Sequence, residues 1–112
     1  MDINTRQIED TTVVDIAGRL DSTTSGAAYD QLVAIAKSGS KKVAINLGQL
    51  EYLSSAGLRM ILVMVKLLKG SGGSANICHA HGVVKEVLET SGFDHLVSLH
   101  DDEVSALQSL NN

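Results

Sequence analysis

The chain has 112 residues, nine Lys and Arg against thirteen Asp and Glu, a formal charge of -4, 44% hydrophobic residues, one cysteine and no proline. A globular chain of this size buries roughly two-thirds of the surface its unfolded form exposes, so one domain over residues 1–112 is expected, with a core that needs no staple. The lone cysteine excludes an internal disulfide, the acidic balance excludes nucleic-acid binding by phosphate neutralisation, and the opening Met1-Asp2-Ile3-Asn4-Thr5-Arg6 lacks the pattern of a secretion signal, so a cytoplasmic location is expected.

Strands over residues 4–9 and 11–18, the second β-branched and closed by Gly18, should form a hairpin. Asp21 to Ser25 supply N-caps for a helix whose Ala28, Leu32, Ile35 and Ala36 share a face, and Gly39 ends it. Residues 42–47 read as a strand with Val43, Ile45 and Leu47 on one side. A short loop then leads to Ser54-Ser55 and a helix ending near Lys69-Gly70. Its apolar stretch from Met60 to Val65 is far shorter than the roughly 20 residues of a membrane span, so no membrane partner is expected. Next come a strand over 75–79, a helix over 83–91 capped by Gly92, and a strand over 96–99. A last helix, opened by Asp101-Asp102, packs through Val104, Leu107 and Leu110. Strands joined by helical crossovers lie parallel, so an α/β fold is expected whose strand ends share one rim carrying Asp21, Ser54-Ser55 and His79 to His81.

The stretch from Leu50 to Arg59 is the most informative. Ser54 is placed as N-cap, which leaves Ser55 at the first helical position, where free amides and the positive dipole end favour an anion. A phosphate there adds about -1.5 to -2 charges that the helix tolerates, so it would switch binding without unfolding the domain. Two capping serines would look the same. The helix that follows is apolar almost all round, with Arg59, Lys66 and Lys69 as its polar edge. Leu62 and Val63 therefore fall at the solvent boundary, either as a protein contact or beneath a neighbouring helix.

Three stretches resemble the anti-sigma factor antagonist family, the STAS domain, in its stand-alone bacterial form. They are Val14-Asp15-Ile16-Ala17-Gly18-Arg19-Leu20-Asp21, then Ile45-Asn46-Leu47 before Leu53-Ser54-Ser55-Ala56-Gly57-Leu58, and Leu88-Glu89-Thr90-Ser91-Gly92-Phe93. The resemblance implies a STAS-like fold, with a mixed, mostly parallel sheet of four to five strands and about four helices. It implies a non-enzymatic protein without cofactor or metal that binds an anti-sigma factor, itself a serine kinase, and so frees the sigma factor. Phosphorylation of the residue matching Ser55 ends the binding, and a PP2C-type phosphatase restores it. Partner-facing positions are then Asp21, Ser22 and Thr23 on a neighbouring loop, with Ser54, Ala56, Gly57 and Arg59 around the acceptor. Many members carry Asp before the acceptor where this chain has Ser54. The exchange is neutral for capping but removes a charge, and implies weaker or differently tuned kinase recognition. Arg59 adds a cation for a phosphate on Ser55 or for an acidic partner.

One alternative keeps the binding and drops the switch, making the chain a scaffold component of a signalling complex. Another is a small serine hydrolase built from Asp21, Ser55 and His79 or His81, although Leu53-Ser54-Ser55-Ala56-Gly57 lacks the first glycine of a nucleophile elbow. Cys78, His79 and His81 are close enough in sequence to suggest a metal, but neighbouring strand residues point to opposite faces. Gly70 to Ala75 fits a dinucleotide-binding spacing in the wrong order, helix before strand, and reads as a turn.

Overall fold

Ten residues of β2 (Thr11–Leu20) form the spine of the molecule, described over residues 1–112 by a computed structural model. Their alternation sends Val14 and Ile16 to one side and Val13 to the other, and all three are fully buried. β1 (Asp2–Ile8) pairs with β2 antiparallel from Asp2↔Ala17 to Ile8↔Thr11, which is the expected hairpin. Glu9 turns it with a φ of 55°.

On its other edge β2 pairs in parallel with β3 (Lys42–Asn46), β3 with β5 (Ser74–Cys78), and β5 with the two-residue β6 (Leu99–His100), in the order β1-β2-β3-β5-β6. The sixth strand, β4 (Leu50–Leu53), occupies the expected loop before Ser54. It pairs in parallel with the end of β2, from Gly18↔Leu50 to Leu20↔Leu53, after a register shift between Gly18 and Arg19. The mostly parallel α/β sheet is as anticipated; the strand expected over 96–99 is not. Phe93–His95 form a 3-10 turn instead, Phe93 and Val97 plug the core, and pairing resumes only at Leu99.

Helices α1 (Ser25–Ala36), α2 (Ser55–Gly70) and α3 (Gly82–Thr90) cover one face. Ala28 and Leu32 of α1, Ile61, Met64 and Leu68 of α2, and Val84 and Leu88 of α3 meet Val14, Val43, Ile45 and Ile77 in one core. Each fully buried Leu, Ile or Met there contributes about 1.5–3 kcal/mol of transfer free energy. Leu62 and Val63 end up half-buried, as their place at the solvent boundary anticipated. α1 is capped differently from expectation. Thr24 is its N-cap residue but makes no side-chain cap, and its hydroxyl instead accepts the Asp21 N–H at 3.0 Å.

The opposite face carries only α4 (Glu103–Leu110) over Val13, Ala44 and Cys78. Its Asp102 cap accepts the Ser105 N–H at 2.8 Å and fixes the helix phase so that Ala106, with Leu107 and Leu110 beside it, turns inward. Val104, expected on the packing face, is 64% exposed. The buried Asn76 amide donates to the Ala106 carbonyl at 2.9 Å and pins the helix to β5. Above α4 this face is polar. The Arg6 guanidinium bridges Asp15 and Glu103, and Glu103 also accepts from the Asn46 amide at 3.1 Å.

Candidate functional site

The loop that starts α2 is stapled to the end of β2 at one residue, Leu20. The Ser54 N–H donates to the Leu20 carbonyl at 3.0 Å. Three residues on, Gly57 lies so close that a Cβ there would come within 2.3 Å of the same oxygen. Only glycine permits that approach. Ser54 has extended backbone, and its hydroxyl accepts the Gly57 N–H at 3.2 Å, so it is the N-cap. Ser55 begins the helix and is exposed. The pair therefore divides: one hydroxyl is held inside the helix start, and the other stands free at its positive end. Gly57, expected at the partner-facing surface, is buried and serves to pack the loop. Ala56 is half-buried, and Arg59 is exposed one turn beyond Ser55.

The neighbouring loop is built by Asp21. Its carboxylate accepts from the Thr23 hydroxyl at 2.6 Å and the Thr23 N–H at 2.9 Å, bonds that hold it below its ordinary pKa. Ser22 and Thr23 are exposed on this turn. The Arg19 guanidinium lies 4.4 Å from the centre of the Tyr52 ring, with its Nε 3.7 Å from Asp21, tying β4 to the turn. Tyr52 in turn borders a hollow of about 490 Å³ that opens beside Ser55, between α2 and α3. Leu53, Leu58, Val83 and Val87 are its apolar lining, and Glu86 is its one charged residue. α3 joins this site beyond the residues expected from the sequence, through Val83 and Val87, which stand one helical turn apart.

His79 and His81 lie elsewhere. They line a polar hollow of about 570 Å³ with Asp15, Asn46, Gln49 and Asp101, where His81 Nε2 is 3.1 Å from the Gly48 carbonyl. Asp21, Ser55 and the histidines thus share a rim without meeting as a triad, and the Asp21 carboxylate is committed to Thr23. Cys78 is not brought to His79 and His81 either: it is buried in the cluster beneath α4, and desolvation pushes its thiol up to about 12. No three His, Cys, Asp or Glu side chains are arranged to hold a metal ion.

Residues 2–106 match the family described as the STAS domain. The anti-sigma F factor antagonist of Paenibacillus polymyxa is 31% identical over 99 residues, covering 88% of this chain and 85% of that protein. Among solved structures, an anti-sigma factor antagonist from Mycobacterium paratuberculosis superposes with a TM-score of 0.92 at 19% identity, covering 99% of this chain and 94% of that one. The antagonist SpoIIAA in its unphosphorylated form gives 0.81 at 17% identity over 98% and 96% of the two chains. The Bacillus cell fate determinant SpoIIAA in its phosphorylated form gives 0.72 at 16% over 96% and 98%. At these identities the superpositions show a shared fold.

Proposed function

The chain belongs to the STAS domain family, and from that membership we propose that it is an anti-sigma factor antagonist, a binding protein in transcriptional signalling that is switched by phosphorylation of Ser55. In this reading the bare protein binds an anti-sigma factor that is also a serine kinase, in the cytoplasm. The Ser55 Oγ forms a bond to the γ-phosphorus of ATP as the bond to the bridging oxygen breaks, ADP leaves and the hydroxyl proton passes to a base. The product no longer binds, and a PP2C-type phosphatase hydrolyses the ester to restore it.

The observation that carries this reading is the division between the two serines. Ser55 is exposed and stands at the first position of α2, while Ser54 is occupied as the cap. The relative from Paenibacillus bears the antagonist name, and SpoIIAA is known in both unphosphorylated and phosphorylated forms. A dianion at the centre of a fitted interface must be desolvated or repelled at a cost of several kcal/mol, and each 1.4 kcal/mol is about a tenfold loss of affinity. Asp21, Ser22 and Thr23 flank the acceptor on the partner-facing side, with Ser54, Ala56 and Arg59 around it.

The test is intact mass after incubation with ATP and a lysate of the host. One phosphate is expected, abolished by Ser55→Ala and kept by Ser54→Ala. An unchanged mass while an anti-sigma factor still co-purifies would instead favour the non-switching scaffold. That second reading draws on Ser54 standing where the family resemblance implies an acid.

A further inference from the structure

We propose that copies of this chain associate head to tail, the start of α4 on one copy, Asp101-Asp102 with Val104, seating in a lysine-lined hollow between the ends of α1 and α2 on the next. The hollow holds about 460 Å³ and lies where Ala36 and Lys37 close α1 beside Lys66, Leu67 and Gly70 of α2. Lys37, Lys41 and Lys66 line it, all exposed, and no carboxylate does. Lys37 and Lys66 make no ion pair within the chain, and Lys41 donates to the Ser71 carbonyl. Three cations so placed on a chain of formal charge -4, with Leu67 39% exposed among them, fit an acidic segment that bears one aliphatic side chain.

The chain itself carries such a segment. Asp101 and Asp102 are exposed where the backbone enters α4, and Val104, 64% exposed, stands out from the first turn of that helix. Asp101 makes no ion pair, and the Asp102 carboxylate uses one oxygen to cap the helix, which leaves the other for a cation. Seating this segment beside Leu67 pairs the free lysines with free carboxylates and covers two exposed aliphatic side chains at once.

Placement sets the symmetry. The hollow belongs to the helices on one face of the sheet and α4 to the other, so two rigid copies cannot satisfy both contacts at once. A dimer keeps one hollow and one acidic segment free, and association continues past it. The hollow also lies at the far end of α2 from Ser55. Its 16 residues, at about 1.5 Å each, put roughly 24 Å between the two, so the assembly leaves the serine open.

The experiment is sedimentation velocity on the full chain over a rising concentration series, with thermal melts to confirm that each variant is folded. The parent is expected to grow past the dimer, and less so as salt is raised. Lys66→Glu, Asp101→Lys and Val104→Ser should each raise the Kd of association, the two charge reversals by about tenfold or more. Mixing Lys66→Glu with Asp101→Lys restores assembly, because the intact acidic segment of the first seats in the intact hollow of the second. Ser55→Asp assembles as the parent. A parent that stays monomeric throughout overturns the proposal, as does any of the three variants assembling as the parent, or a mixture that stays apart. Loss of assembly in Ser55→Asp would move the contact to the serine and overturn it too. Flotation with phosphatidylserine vesicles tests the rival occupant: vesicles that carry a monomeric parent and release Lys66→Glu would put a lipid surface on the hollow and overturn the head-to-tail contact.

Discussion

Removing the hydroxyl of Ser54 takes away the acceptor of the Gly57 N–H, whereas removing that of Ser55 leaves the helix start intact. Ser54→Ala is therefore expected to cost about 1 kcal/mol and lower Tm by several degrees, and Ser55→Ala to melt as the parent. Gly57→Ala forces a Cβ onto the Leu20 carbonyl and should cost about 1–3 kcal/mol or more in urea denaturation. A melt equal to the parent's would show that the loop can lift away from β2. Cys78 makes a pH-dependent contribution. Its thiol ionises near 9.0 when unperturbed and near 12 in the fold, so the unfolded chain loses the proton first. The stability due to the buried neutral thiol is complete below pH 9 and is lost as pH rises toward 12, a fall in urea midpoint that Cys78→Ala should flatten. The serine pair was legible in sequence because capping is local chemistry. The role of Gly57 was not, since the carbonyl it meets belongs to a strand that precedes it by more than thirty residues.

The elements that periodicity missed are those defined by a distant neighbour. Leu50-Glu51-Tyr52-Leu53 is too short to show an apolar alternation, and it is a strand because the tail of β2 offers it a ladder. α4 was recognised from its Asp102 cap, but Ala106, a small residue, turned out to be the buried anchor and the larger Val104 the exposed one. What holds α4 to the sheet is partly ionic: Glu103 receives Arg6 and Asn46, which keep its carboxyl below the ordinary 4.5. A depressed carboxyl stabilises the fold above its unfolded pKa, and that contribution is lost as pH falls through the folded value. Glu103→Gln should therefore be less stable than the parent at pH 7, with the two curves converging in acid, and α4 amides should exchange faster in the variant. Curves that stay parallel across the acid range would show that Glu103 is not the source.

Across the whole molecule the sheet separates two surfaces. Ser55 and its hollow lie with α1 to α3, and the polar hollow of His79 and His81 lies apart from them, bordered by Asp15 and Asn46. Ser55→Asp is expected to keep the parent's melting temperature, with amide shift changes confined to residues 19–23, 52–59 and 83–91. Shifts reaching β1 or α4 would mean that the charge rearranges the sheet. The parallel order of the strands followed from their helical crossovers, which are written in the sequence, but the branching of the sheet was not.

That branch has a mechanical consequence. β2 lends its first half to β3 and its last three residues to β4, and the slip between Gly18 and Arg19 uncouples the two ladders. The only strand ladder next to Ser55 is the second, so a sideways shift of β4 carries the start of α2 with it while the pairing of β2 with β3 keeps its register.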